Sequence, residues 1–332
     1  MHRLQNAEFS RTFTANVTVS EKGRTRYGEM DERLDGIQAT LTAGGRLDDT
    51  QILALVSTTD LISLGMLADD ARRRRHGDRT TFARVAVVPV DAIGRLEVPG
   101  AAGELRVVGA PDSLEAAETV VQAAVAGAAS AGIPVSAFSL DDLERLCGGD
   151  GVTLERLLER LRVAGLSAVA ELPADRMADP VRAIEAAVGA GLPVSRVTIR
   201  EAHGDERLAL IRRVAGWTIP PQAVWAFAPL PRTDGGDTRH APATGYDDVR
   251  QVAFARLVVD NIDRIQVDWT LHGPKLAQVA LTFGADDVDA VPATDTDELG
   301  ARRTALEEIR RNIRAAAFVP TERNGCFESV TR

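Results

Sequence analysis

Arg84, Glu171, Arg200, Glu201, His203, Asp268, Trp269 and His272 are side chains of chemically useful types at or near the ends of short β-rich runs. An arginine offers a planar fork for a carboxylate or phosphate. A carboxylate beside a histidine offers a proton acceptor near neutral pH, and a carboxylate alone can hold ribose hydroxyls or an amine. Trp269 offers a face for stacking on a purine. Three readings of the set stand open. The groups are solvated loop charges, since loops are polar by default; or they line a pocket for a small anionic or nucleoside-like ligand; or His203, His272 and a carboxylate hold a metal. No H-x-x-x-H or similar local spacing exists, so no metal is expected. Arg200 and Glu201 are neighbours, and successive side chains of a strand face opposite ways, so only one of them turns inward. The same charges could also pair with one another as a salt-bridged plug.

Other chemistries lack their motifs. There is no G-x-S-x-G elbow and no P-loop, and no G-x-G-x-x-G follows a strand. Gly44-Gly45 and Gly235-Gly236 lack the flanking strand–helix pattern and read as turns. The net charge of -9 and pI of about 5.2 argue against nucleic acid or an anionic membrane surface as partner, because both need a basic face. No run approaches eighteen apolar residues, and the first residues show no apolar segment of a signal peptide. The two cysteines, Cys147 and Cys326, are far apart. A cytoplasmic protein with reduced thiols is the expectation.

Three blocks organise the 332 residues: a polar, disordered 1–30; a helical extension over 31–78; and a barrel over 79–332. The extension holds two short helices broken near Ser57-Thr58-Thr59, the second closed by Arg72–Arg75, a solvated basic end that suits the helix dipole, and by the turn Gly77-Asp78. Strands are expected at Phe82–Val88, Glu104–Gly109, Val135–Phe138, Ser167–Leu172, Ser195–Arg200, Ala223–Pro229, Ile265–Thr270 and Asp287–Val291. Between them lie helices. Leu154, Leu157, Leu158 and Leu161 form an apolar stripe behind the N-cap Thr153, with Gly165 past its end. Asp112–Glu115 and Thr294–Asp297 read as capping boxes. Eight strand–helix units favour closure into a (β/α)8 TIM-like barrel over an open sheet. Its active site would lie at the strand C-termini.

Several stretches resemble the radical-SAM aminofutalosine synthases of menaquinone biosynthesis. They are Asp60–Arg79, Glu104–Gly109, and above all Gly245–Arg250, Ala255–Ile262, Lys275–Leu281 and Phe283–Asp289, with the ending Val319–Arg323. The resemblance spans roughly 35–325 and implies a barrel of the radical-SAM type. That family carries C-x3-C-x2-C after its first strand. Here Arg84–Gly94 contains no cysteine, histidine or other soft ligand. Three thiolates are needed to hold three irons of a 4Fe-4S cluster and leave the fourth open. The family's Gly-rich segment after the fourth strand is replaced by Val169–Asp175. The expectation is a member without the cluster: a pseudoenzyme, or a protein with residual SAM or adenosine binding, acting with a protein partner or as a homo-oligomer. The alternative is a non-radical barrel enzyme doing acid–base chemistry on a small anionic or nucleoside-like molecule.

Overall fold

Strands whose outward residues are apolar and whose inward residues are charged close into a barrel in the computed structural model, which describes residues 34–150, 152–231, 244–294 and 304–330. Helices α1 (34–42), α2 (Asp49–Ser57) and α3 (Leu61–His76) precede the first strand. The barrel strands are β1 (Arg79–Pro89), β2 (Glu104–Val108), β3 (Val135–Ser139), β4 (Ala168–Pro173), β5 (Val194–Thr198), β6 (Val224–Ala228), β7 (Arg264–Asp268) and β8 (Asp287–Pro292). Every pairing between them is parallel, and β1 joins both β8 and β2, which closes the ring. Structural expectations for residues 1–33, for Asp295–Asp297 and for Gly235-Gly236 lie outside the described residues.

Closure is unusual at one place. Strand β2 pairs only with the second half of β1, from Val85 onward. A ninth strand, β9 (Val319–Arg323), runs parallel to the first half, Arg79–Ala83, and fills the gap at the N-terminal end of the strands. The segment after β9 lies across that same end. The Phe327 ring stacks at 5.6 Å on Trp225 and at 3.7 Å under the Arg323 guanidinium.

The helices α4 (Leu114–Ala128), α5 (Leu140–Asp150), α6 (Leu154–Val163), α7 (Pro180–Gly189), α8 (Gly204–Ala215), α9 (Gly245–Val258), α10 (Trp269–Leu281) and α11 (Ala305–Ala315) complete the layer around the barrel. Their starts follow local rules. Thr153 accepts a hydrogen bond from the Arg156 amide and caps α6, whose Leu157, Leu158 and Leu161 are fully buried. Burying each is worth about 1.5–3 kcal/mol. Gly165 takes φ 103 past its end, a conformation that favours glycine. Helices α2 and α3 break at Thr58–Asp60, where Asp60 caps α3.

Three expectations need correction. Helix α4 is capped by Ser113 alone, through the Ala116 amide, not by a reciprocal box. Strand β5 ends at Thr198 and β7 at Asp268, so Arg200 lies beyond its strand and Trp269 and Thr270 begin a helix. Arg72 is not solvated. It is fully buried, donates to the carbonyls of Gly77 (2.6 Å) and Arg79 (2.9 Å), and lies 3.7 Å over the Phe318 ring. The Gly44-Gly45 amides are spent on the end of α1, bonding Leu41 O and Thr40 O, so this pair is a turn.

Candidate functional site

Alternation along β2, β4, β5, β7 and β8 points Glu104, Arg106, Glu171, Arg196, Thr198, Gln266, Asp268, Asp287 and Asp289 into the barrel. There they join in one network. Arg106 donates to Asp289 (2.6 and 3.1 Å) and to Glu104 (2.8 and 2.9 Å), and Ser136 also donates to Glu104 (2.5 Å). Arg196 donates to Asp289 (3.0 Å) and Asp268 (3.1 Å) and lies 3.5 Å from Glu171. One layer nearer the strand N-termini, Asp287 accepts from Arg323 (2.6 and 2.7 Å), Gln266 (2.8 Å) and Thr81 (2.5 Å). The interior of this barrel is an ion-pair lattice.

At the strand C-termini, Arg200 grips Glu171 through both Nε and Nη2, the latter at 2.5 Å, and Thr198 donates to the same carboxylate at 2.6 Å. Burial alone would raise the Glu171 pKa. The Arg200 hydrogen bonds, the charges of Arg196 and Arg200, and the Thr198 hydroxyl overturn that and bring it to about 2. Burial likewise opposes ionisation of Asp289, yet Arg106, Arg196 and Arg323 hold it well below the usual carboxylate range. Burial lowers Arg106, and Asp289 and Glu104 more than reverse it.

Beside this lattice opens a cavity of 280 Å³ at the ends of β2 to β5, bordered by Arg106, Phe138, Asp141, Glu171, Arg176, Arg196 and Arg200. Two of its bordering groups carry buried polar atoms without a hydrogen-bond partner, Arg196 Nε and Asp141 Oδ1. Phe138 sits at φ 59 just before β3 ends, a strained conformation of a kind that gathers at functional sites. The loop after β5 is held by Asp175, whose Oδ2 accepts from the amides of Arg200 (2.9 Å), Glu201 (2.5 Å) and Ala202 (3.1 Å).

Of the residues singled out from the sequence, Glu171 and Arg200 border the cavity, and Asp268 reaches it through Arg196. Glu201 turns outward, exposed, and pairs with Arg176 (2.9 Å). Arg84 does not lie at the mouth. It sits mid-strand on β1 and bonds Glu322 (2.9 Å), which in turn faces Arg310 of the outer helix α11. Trp269 is no stacking platform, because it is 5 % exposed and belongs to the apolar core. His203 occupies the N-cap position of α8. His272 is buried with Nδ1 at 3.1 Å from the Asp268 carbonyl and Nε2 without a partner. Burial pushes its pKa down to about 4. Among the described residues no group of three or more His, Cys, Asp or Glu could hold a metal ion. Asp268 instead caps α10 through the amides of Thr270 (3.0 Å) and Leu271 (3.1 Å).

Sequence reasoning missed Arg106, Arg196, Asp287 and Asp289. Their signal was present as charges at alternate positions of strands, in Glu104-Leu105-Arg106-Val107 and Asp287-Val288-Asp289. A strand flanked by helices should be apolar on its outer face, so alternating charge marks the inner one.

The iron–sulfur cluster of radical-SAM barrels does not fit the residues that stand at the corresponding place. After β1 the chain makes a 3-10 turn, Val90–Arg95, with no thiol or imidazole in it. Cys147 is buried in α5, and Cys326 follows β9 at the opposite end of the strands. No helix among the described residues is long and apolar enough to cross a membrane.

Residues 226–331 match the family model described as the CofH/MqnC C-terminal region. The chain is 26% identical to the 5-amino-6-(D-ribitylamino)uracil–L-tyrosine 4-hydroxyphenyl transferase of Methanosphaerula palustris, over 84% of this chain and 92% of that one. It is 24% identical to the aminodeoxyfutalosine synthase of Thermus thermophilus over 91% and 97% of the two chains. Against the aminodeoxyfutalosine synthase of Streptomyces coelicolor, identity reaches 37% over 26% of this chain and 24% of that protein. Among solved structures, methylornithine synthase shares the fold with a TM-score of 0.61 at 13% identity, covering 86% of this chain and 97% of that one. The FeFe-hydrogenase maturase from Carboxydothermus hydrogenoformans does so with a TM-score of 0.60 at 13% identity, covering 92% and 84%.

Proposed function

We propose that this chain, similar to the aminodeoxyfutalosine synthases and over its last third to the CofH/MqnC C-terminal region, works without an iron–sulfur cluster, as a pseudoenzyme that binds a small anionic or nucleoside-like ligand at the barrel mouth. It would serve the futalosine route to menaquinone as a ligand-binding partner of a catalytic protein. The observation that carries the reading is the interior itself. Arg106, Arg196 and Arg200 with Glu104, Glu171, Asp268 and Asp289 fill the strand ends that border the mouth cavity. No thiolate stands after β1 to hold iron.

What remains is a cavity with surplus guanidinium. Arg176 and Arg200 border it and are 42% and 40% exposed, so each can rotate from Glu201 or Glu171 onto a ligand anion. The orphaned Arg196 Nε and Asp141 Oδ1 supply one donor and one acceptor for a polar group. Acid–base turnover has less support. A carboxylate held at about 2 is a weak proton acceptor near neutral pH, and His272 lies outside the cavity border.

The test is reconstitution. The full chain, treated anaerobically with iron and sulfide, is expected to stay colourless and to retain no stoichiometric iron. An EPR-active 4Fe-4S centre would end the reading. Adenosine and SAM then serve as ligand probes by calorimetry, with Arg176→Gln and Arg200→Gln expected to weaken whichever binds.

A further inference from the structure

We propose a second ligand site, for a small organic phosphate, at the end of the barrel opposite the mouth. Helices α3, α8 and α9 each end shortly before a strand begins, so their C-termini lie at the N-terminal end of the strands. Where the segment 41–52 packs against them there is a cavity of 470 Å³, within the range of small-molecule sites. Arg46, Arg74, Arg75, Arg212 and Arg256 border it, against Asp49 and Asp260. A chain with 48 acidic and 39 basic residues has gathered five guanidiniums around one cavity.

The plain alternative is that these cations neutralise helix C-termini. That role would place their N–H groups on helix-end carbonyls. Arg256 does bond carbonyls, those of Gly284 (2.7 Å) and Asp263 (3.1 Å). Arg46, Arg74 and Arg212 instead pair with Asp260, Asp70 and Asp49. Arg75 makes no hydrogen bond or ion pair among the described residues, although its charge reaches Asp260 and Arg256. Its fork is unspent.

Arg212, 45% exposed, holds Asp49 through one nitrogen, and such an exposed ion pair contributes little. Arg46, 70% exposed, grips Asp260 through Nε and Nη2 and keeps Nη1 for a ligand. A phosphate dianion accepting from Arg75, Arg46 and Arg212 would join segment 41–52 to α3 and α8 through charge-assisted hydrogen bonds. Leu41, Leu47, Ile52 and Leu257 provide an apolar wall for the body of the molecule.

Inorganic phosphate, ribose 5-phosphate and ribose are titrated calorimetrically into the full chain at constant ionic strength. Both phosphates should bind saturably, ribose 5-phosphate more tightly, and ribose not at all. Arg75→Gln and Arg212→Gln should each weaken binding about tenfold, the scale of one charge-assisted hydrogen bond. Arg75→Gln breaks no described ion pair, and circular dichroism checks that it folds. Arg182→Gln, on the exposed face of α7 and bordering neither cavity, should leave phosphate binding unchanged. Absence of saturable binding, undiminished affinity in Arg75→Gln, or loss of affinity in Arg182→Gln would each overturn the proposal. Equal affinity for citrate would overturn its assignment to phosphate. The Arg75→Gln and Arg212→Gln readouts are independent of whether the mouth binds anything, because neither residue borders that cavity.

Discussion

Arg106 on β2 and Asp289 on β8 meet across the closed barrel in a bidentate pair, at 2.6 and 3.1 Å, with 4% and 0% of their side chains exposed. Desolvating two charges is costly, and their attraction repays it only with good geometry and further hydrogen bonds. Both are present: Arg106 also bonds Glu104, and Asp289 also bonds Arg196. The lattice is therefore hard to enter piecemeal, because removing one member strands a buried charge.

Arg106→Met should show this. It leaves Glu104 and Asp289 underpaired inside the barrel and is expected to cost about 3–5 kcal/mol in urea unfolding. The double variant Arg106→Met with Asp289→Leu should recover part of the loss, since a buried pair can often be replaced by apolar groups. A single variant within about 0.5 kcal/mol of the parent, the range of ordinary surface changes, would mean that water reaches the interior.

Most of the barrel was legible because its strands alternate with strongly patterned helices, as at Leu154–Leu161 behind Thr153. Strand β9 was not. Val319-Pro320-Thr321-Glu322-Arg323 is short and polar with a proline, and it is a strand only because β1 is longer than β2 and leaves an open edge. Glu171 and Arg200 border the mouth cavity because they lie at or just past strand ends. Arg84 misled: β1 runs on to Pro89, five residues beyond it, and that length is set by pairing with β2. His272 and Trp269 were displaced because Asp268 ends its strand by capping a helix, a role that local sequence shares with catalytic aspartates.

Acid titration should proceed in two stages. His272 has a folded pKa of about 4 against an ordinary 6.5, chiefly through burial. The unfolded chain thus binds the proton first, so stability falls as pH drops from 6.5 to about 4, by at most about 3 kcal/mol at 1.36 kcal/mol per unit. His76, also lowered by burial, adds loss of the same sign. Glu171 behaves as a paired carboxylate, with its contribution present above 4.5 and lost as pH falls toward 2. Unfolding free energy measured from pH 8 to 3 should therefore decline below 6.5, and His272→Gln should flatten the decline between 6.5 and 4. An unchanged slope in that variant would exclude His272 as its source.

SAM incubated with the full chain and a strong reductant should give no 5′-deoxyadenosine above a control without protein. Reductive cleavage needs an open iron to deliver an electron to the sulfonium, and Cys147 and Cys326 lie on different elements, away from the turn after β1. Product formation that follows protein concentration would show that a cluster assembles by another set of ligands.

The last prediction separates the two carboxylates at the mouth. Glu171→Gln removes the charge that holds Arg200 and neighbours Arg196, while its amide can still accept from Thr198. It should cost about 1–3 kcal/mol, the scale of hydrogen bonds to charged groups. It should also free Arg200 for a ligand, so an anion that binds at the mouth should bind more tightly, not less. Asp268 does two jobs with two oxygens: Oδ2 meets Arg196, and Oδ1 caps α10 through Thr270 and Leu271. Asparagine is as good a cap as aspartate, so Asp268→Asn should lose only the ion pair. Asp268→Ala should lose the cap as well and fall about 1 kcal/mol further. Thermal unfolding of the three variants, paired with ligand calorimetry, gives the ordering. If Asp268→Asn is as damaging as Asp268→Ala, the cap contributes nothing measurable. If Glu171→Gln abolishes ligand binding, Glu171 contacts the ligand itself and does not merely restrain Arg200.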